Sequence, residues 1–320
     1  MVKNIKTVSI IVPTFNEIEN VEDIAKEIIN EIIENLPEYN YELLFIDNNS
    51  KDGTQDVIRR LCSENNHIRA IFNLKNYGPD NSPYYGLMQA SGDCAIIVAA
   101  DFQDPLDMIH KMVREWEKGN KVVIAIKNTS QENSFIRFLR TIYYRMIRSI
   151  SNTEIIEHFT GFGCYDQSFI DVLRNIDDPV PFFRGVVAEF SDERAVIPYE
   201  QLKRRAGKSH IRFLPLYEMV MRSITSYTKV GLRIATLFGF ITALFSLVVA
   251  LVYFIYKIIY WNSFSAGIAP LVLGVFFFGA VQLAFLGLLG EYVMSINMRV
   301  MNRPIVVEKE RINFKGDDNA

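Results

Sequence analysis

Apolar residues along the first two hundred positions follow two alternating rhythms. Short β-branched runs, "TVSIIVP" (7–13), "YELLFID" (41–47), "IRAIFN" (68–73), "CAIIVAA" (94–100) and "KVVIAI" (121–126), predict strands. Between the first two, Val21, Ile24, Ala25, Ile28, Ile29, Ile32, Ile33 and Leu36 recur at the helical step, which predicts an amphipathic helix. A turn and a helix follow at "SKDGTQDVIRRLC", and "DPLDMIHKMVREW" predicts another helix, capped by Asp104 before Pro105. Strands separated by helices imply an α/β fold with a mostly parallel, Rossmann-like sheet covered on both faces. Ligands of such sheets bind beyond the carboxyl ends of the strands. The polar clusters Pro13–Glu17, Asp47–Ser50, Asn76–Asp80 and Asp101–Asp104 all fall at those ends.

The rhythm then changes. From Leu232 to Ile259 only Arg233 and Lys257 are charged, and from Ile268 to Leu289 nothing is. Each run exceeds the roughly 20 residues that cross a bilayer, so two transmembrane helices are expected. Basic residues precede them (Lys203, Arg204, Arg205, Lys208, Arg212, Arg222, Lys229) and follow them (Arg299, Arg303, Lys309, Arg311). That bias predicts a multi-pass inner-membrane protein with both termini in the cytoplasm. Two stretches mix arginine with apolar residues at helical spacing, 135–150 and 211–229. The first reads as a packed helix or as one lying on anionic lipid; the second favours the membrane surface.

Charge and cysteine content narrow the picture further. The 320 residues carry 34 basic and 37 acidic side chains, a net charge of −3, which is no footprint for nucleic acid. Cys62, Cys94 and Cys164 have no paired spacing and read as free thiols in a reducing compartment. The four histidines show no ligand spacing, which argues against zinc. The N-terminal apolar run is too short for a signal peptide.

Five motifs fall in a telling order: "SIIVPTFNEIENV", "LLFIDNNSKDGT", "NYGPDNSPYYGLMQASGD", "ADFQDP" and "RRAGKSH". Together with the two spans they make the chain resemble family-two glycosyltransferases of the GT-A type. It looks most like the polyprenyl-phosphate glycosyltransferases, relatives of dolichol-phosphate-mannose synthase. The resemblance covers nearly the whole chain. It implies a cytoplasmic GT-A domain over 1–210, juxtamembrane amphipathic helices over 211–231, two transmembrane helices over 232–298 and a C-terminal tail with a short strand over 299–320.

The resemblance also implies roles. Pro13, Phe15 and Glu17 would touch the donor's nucleoside, with Asp47 at the base and Asn49 beside it. Asp101 and Gln103 would hold Mg2+ or Mn2+, facing one side of an extended chain. The family pattern D-x-D-x-Q here reads Ala99-Ala100-Asp101-Phe102-Gln103, so one carboxylate is missing. Mg2+ tolerates few protein ligands beside substrate phosphates, so Asp101 can suffice. Arg204, Arg205, Lys208 and Ser209 would meet the diphosphate and the acceptor phosphate, and Arg184 would face the site. The same basic stretch also reads as an anchor to anionic lipid.

A second departure is Gly161 where relatives carry an acceptor base; Asp166 would position the acceptor, or be structural. A lipid phosphate needs no base, so this loss favours a phosphate acceptor. The expected activity is that of an inverting hexosyltransferase moving a sugar, from a UDP-sugar, to polyprenyl (undecaprenyl) phosphate. "RPIVVEKE" would add a strand to a neighbouring subunit and so suit a homo-oligomer. Two alternatives stay open: a same-fold transferase for another membrane acceptor, and a degenerate, non-catalytic scaffold that binds sugar nucleotide or lipid carrier. Ala99 and Gly161 speak for the scaffold.

Overall fold

The computed structural model describes residues 5–128, 156–176, 178–179, 181–191, 193–205, 230–260 and 268–314. The stretches 135–150 and 211–229, and the candidates Lys208 and Ser209, lie outside the described residues. The elements run β1 (Thr7–Thr14), α1 (Val21–Asn35), β2 (Asn40–Asp47), α2 (Thr54–Glu64), β3 (Ile68–Asn73), α3 (Gly78–Gln89), β4 (Cys94–Ile97), α4 (Met108–Glu117) and β5 (Val122–Lys127). Then come β6 (Phe159–Asp166), α5 (Gln167–Asn175), α6 (Phe183–Phe190), β7 (Ala195–Tyr199), α7 (Val230–Ile259), α8 (Ile268–Val300) and β8 (Glu308–Ile312).

Eight strands form one sheet in the order β7-β5-β6-β4-β1-β2-β3-β8. The pairs β1–β2, β1–β4, β2–β3 and β5–β7 are parallel. Those of β6 with β4 and β5, and of β8 with β3, are antiparallel. The sheet is therefore mostly parallel, as expected, but mixed: β6, inserted between β4 and β5, and β8 at the edge run against the other six strands.

Alternation along the central strands explains why they read as unbroken apolar runs. Val8, Ile10 and Val12 of β1, with Leu43 and Phe45 of β2, pack under α1, α2 and α4. Ile11, Leu44 and Ile46 face the other way, towards Tyr84 and Leu87 of α3 and Phe169, Ile170 and Leu173 of α5. In α1 the buried stripe is Val21, Ile24, Ala25, Ile28 and Ile32. Ile33, expected on the same stripe, is exposed, since it follows Ile32 around the helix.

The C-terminal segment departs from expectation. The sequence predicts a strand offered to a neighbouring subunit, yet Glu308–Ile312 pairs with β3 of its own chain. Arg59 holds Glu310 at 2.7 Å, the Tyr85 hydroxyl donates to Glu308 at 2.9 Å, and Asn313 donates to the carbonyls of Cys62 and Ile68. The tail thus closes one edge of the main sheet instead of standing apart.

Both expected spans are helical, over 30 and 33 residues. Many of their large apolar side chains are exposed, among them Leu237, Phe240, Phe245, Leu271, Val275 and Leu283. Among the described residues, Phe277–Val300 is the segment long and apolar enough to cross a membrane, by length and composition. Arg299, near the end of α8, lies 3.4 Å from Asp178 of the sheet domain.

Truncation after Val307 removes β8 and bares the β3 edge. The shortened protein is expected to melt several degrees lower and to self-associate. Thermal unfolding and size-exclusion chromatography in detergent read both effects.

Candidate active site

The strand order sets the location. From β1 the chain proceeds to β2 on one side, while β4 flanks β1 on the other, so a crevice opens between the ends of β1 and β4. The β1–β4 ladder stops at Ile11↔Ile97, and the Val98 N–H donates to the Ile11 carbonyl. Residue 13 faces the same side as residue 11, just past the end of the ladder. Proline is tolerated there because no β4 partner awaits its N–H.

After β1, Asn16 adopts a left-handed backbone with φ of 56°. Its N–H donates to the Ser50 hydroxyl at 2.8 Å, and its amide oxygen accepts from the Lys51 N–H at 2.9 Å. The Glu17 N–H donates to Thr54 Oγ1 at 3.0 Å, and the Ile18 N–H to Asp52 at 3.1 Å. The "SKDGT" turn therefore braces the loop that carries Glu17. Ser50 and Thr54 serve this bracing, and Gly53 (φ 101°) precedes α2 without a side-chain cap.

Asp47 underlies the brace. It is fully buried, and it accepts from Ser50 N (2.9 Å), Ser50 Oγ (2.5 Å), Thr14 Oγ1 (3.2 Å) and Gln55 Nε2 (2.6 Å). Both oxygens are engaged, so Asp47 pins the loop and offers no free face to a base. Asn49 is half-buried at φ 63° and donates to the Leu74 carbonyl. Pro13 and Phe15 are half-buried at the crevice.

After β4 the backbone turns instead of remaining extended. Phe102 takes φ of 59°, and the Gln103 N–H donates to Asp101 Oδ1 at 3.1 Å. Asp104 does not cap α4, whose preceding residue is Asp107. It points inward, accepting from Ala99 N–H at 3.3 Å and from the Tyr199 hydroxyl at 3.1 Å. Burial pushes its carboxyl up to about 6, against the pull of those two bonds. Gln103 Oε1 accepts from Gln201 at 3.2 Å. Leu202 N–H and Arg205 N–H donate to the carbonyls of Gln103 and Asp101. These bonds lay residues 201–205 along the turn and deliver Arg204 to the crevice.

There Arg204 meets both carboxylates. Its Nη2 donates to Glu17, and its Nε lies 3.8 Å from Asp101 Oδ2. Burial raises the Glu17 pKa; the Asn20 amide and Arg204 oppose the rise, and the Asp101 charge adds to it. Asn20 donates to Glu17 Oε2 at 2.7 Å. Arg205 stacks over the Phe102 ring at 3.8 Å and pairs with Glu27 at 2.7 Å. A cleft of about 270 Å³ opens beside the turn, lined by Glu27, Phe102, Asp104, Leu106, Leu202, Lys203 and Arg205. Arg184 lies farther along, 4.0 Å from Asp80.

Asp166, expected to position the acceptor, lies away from the crevice. It is level with Cys94, at the start of β4, so it sits at the opposite end of the sheet from Asp101. It caps α5, accepting from Ser168 N (2.8 Å) and Ser168 Oγ (2.6 Å), and it also accepts from the Trp116 indole N–H (2.7 Å). Burial would raise its pKa, but these bonds outweigh burial and hold the carboxyl below its ordinary value. Gly161, by contrast, lies on β6 at the crevice end, with φ of 101°.

Among the described residues no three His, Cys, Asp or Glu side chains converge as a ready-made metal cage. The donors present still fit a hard divalent ion. Asp101 and Glu17 already attract one cation, the Arg204 guanidinium, and a single carboxylate beside phosphate oxygens suits Mg2+ or Mn2+. Sequence reasoning missed Asn20, Tyr199 and Gln201. No motif marks them, because their roles depend on pairings remote in the chain.

Residues 9–174 match the glycosyl transferase family 2. The SfII prophage-derived bactoprenol glucosyl transferase of Shigella flexneri is 27% identical over 304 residues, covering 95% of this chain and 97% of that protein. The prophage bactoprenol glucosyl transferase homolog of Escherichia coli (strain K12) is 27% identical over 310 residues, covering 94% and 98%. Among solved structures, the crystal structure of S. aureus TarS 1-349 in complex with UDP-GlcNAc aligns over 68% of this chain and 65% of that one, with a TM-score of 0.47 and 15% identity. That last likeness carries no functional argument.

Two substitutions separate support from chemistry. Asp166→Ala is expected to cost about 1 kcal/mol of stability through the lost cap and to leave turnover unchanged, as read by thermal unfolding beside an activity assay. For Asp104, a raised folded pKa means its stabilising contribution is complete below about pH 4 and lost as pH rises through about 6. The stability gap between Asp104→Asn and wild type should therefore move in the variant's favour from pH 5 to 7, by roughly 1 kcal/mol. Unfolding curves across that range check it, and a flat gap contradicts it.

Proposed function

This chain belongs to glycosyl transferase family 2, and from that membership we propose that it is an inverting, membrane-bound GT-A enzyme that moves a sugar from a nucleotide-sugar donor, a UDP-sugar, to polyprenyl phosphate. The observation that carries the reading is the near full-length match to relatives named bactoprenol glucosyl transferase, which spans the catalytic sheet and both long helices. The crevice chemistry agrees with it.

Glu17 stands where a ribose hydroxyl can donate to it, and Pro13, Phe15 and Asn49 line the nucleoside side. Asp47 supports that wall from beneath, so its contribution is to loop shape. A divalent cation held by Asp101, with Gln103 beside it, would neutralise the departing diphosphate. Arg204 and Arg205 supply fixed positive charge, with guanidinium geometry matched to phosphate oxygens. Lys208 and Ser209 follow in the same basic stretch and extend this role.

The acceptor explains Gly161. A phosphate monoester has its second pKa near ~6 and is largely dianionic at neutral pH. Its oxygen attacks the anomeric carbon without giving up a proton, so no general base is needed. That removes a contribution worth roughly 10²–10⁴-fold for hydroxyl acceptors. What the site must do is hold two anions in line against their repulsion.

We read α7 and α8 as the membrane pair. Their exposed apolar faces support this, as do the basic residues on either side, which place both termini in the cytoplasm. The acceptor's phosphate would then meet the crevice at the bilayer surface.

Transfer of radiolabel from a UDP-sugar into solvent-extractable lipid tests the reading. Product should require polyprenyl phosphate, vanish with EDTA, and fall on the order of a hundredfold or more in Asp101→Asn. Undiminished synthesis by that variant across a manganese titration removes Asp101 from the mechanism. No product from any UDP- or GDP-sugar favours a binding scaffold instead.

A further inference from the structure

Glu17 and Asp101 are close enough for one guanidinium to touch both, and their side chains are only 9% and 15% exposed. Two carboxylates so placed repel each other unless a cation compensates. Arg204 is that cation here. Its backbone is fixed by its neighbours, since Leu202 and Arg205 both donate to the β4 turn. Its side chain is long and 22% exposed, so it can change partners without moving the loop. A diphosphate offers a guanidinium a bidentate partner richer in charge than either carboxylate. A divalent ion and Arg204 cannot share the same carboxylate face, because the two cations repel.

We propose that Arg204 is an internal counter-cation: it occupies Glu17 and Asp101 while the crevice holds no donor, and exchanges onto the donor's diphosphate when the divalent cation takes Asp101 and the donor's ribose takes Glu17. This rests on the donor reading given above and adds an order to it. The free protein resists metal, and nucleotide releases the carboxylates. The exchange keeps both carboxylates partnered in both states, so the loop after β1 and the turn after β4 need not spring apart between turnovers. The role is distinct from that of Arg205, which is stacked on Phe102 and paired with Glu27.

Manganese binding to the full-length protein in detergent, followed by electron paramagnetic resonance of free Mn2+, provides the test. Wild type should bind Mn2+ weakly alone and much more tightly with UDP. Arg204→Met should bind Mn2+ alone about tenfold more tightly than wild type, the worth of one charged contact. The same variant should bind UDP in EDTA about tenfold more weakly by calorimetry. Arg204→Lys, which keeps the charge and guards against a folding defect, should shift both values in the same directions by less. Lys203→Met removes a nearby charge outside the acidic pair and should leave Mn2+ affinity within about twofold of wild type. Unchanged or weaker nucleotide-free Mn2+ binding in Arg204→Met overturns the proposal, as does equal tightening in Lys203→Met; the donor reading survives either result. Wild type that binds no Mn2+ even with UDP removes the donor-and-metal reading and this proposal together.

Discussion

β1 and β4 run side by side and parallel, with Ile11 level with Ile97, so their ends deliver Glu17 and Asp101 to a single crevice. The site depends on that pairing. Where the ladder stops, Pro13 leaves no donor seeking a partner, and the two loops are free to diverge. Each is then stiffened from below by a buried, inward-bonded carboxylate. Asp47 holds Ser50, which in turn holds Asn16. Asp104 ties the backbone at Ala99 to Tyr199. In both loops the more deeply buried acid has both oxygens hydrogen-bonded inward, and the less buried one faces the crevice. Burial and partners, more than residue type, divide support from function.

The short β-branched runs anticipate β1, β2, β3 and β5 to within a residue or two, because both faces of the sheet are covered and the strands read as apolar runs. Placement of the crevice also followed, since strand–helix alternation fixes which strand ends meet ligands. What stayed hidden depends on pairings between distant segments. β6 enters antiparallel between β4 and β5, which reverses the sense of "FTGFGCYD" and carries Asp166 to the wrong end of the sheet. β8 returns from beyond the long helices to cover β3. The bracing role of Asp47 is illegible for another reason: a lone carboxylate at a strand end reads the same whether it faces a ligand or four internal donors.

The two missing carboxylates of the sequence become more intelligible in this frame. The backbone N–H of Ala99 is already taken by Asp104, so the turn closes without help from the side chain at 99. Gly161 sits at a positive φ beside the Phe183 ring, a conformation that a side-chain-bearing residue rarely adopts. Both changes thin the acidic lining of the crevice while the cations remain. For a reaction between a diphosphate donor and a phosphate acceptor, that shift has the right sign, because both partners are anions.

Charge balance then links the site to its setting. Glu17 and Asp101 bring two negative charges to the crevice, Arg204 and Arg205 two positive ones, and the basic run continues to Lys208. A crevice so balanced gains little by admitting a lone metal ion and little by admitting a lone anion. It gains from admitting both, because each relieves the imbalance created by the other. On the proposed reading the sheet edge, sealed by β8 from beyond the long helices, and the Arg299–Asp178 contact hold this crevice near the membrane. There the surface carries anionic lipid and the acceptor phosphate approaches from one side. On the same proposed reading, a site that prefers cation and anion together resists capture by either headgroups or free metal, and stays available for the ternary arrangement of metal, donor and acceptor.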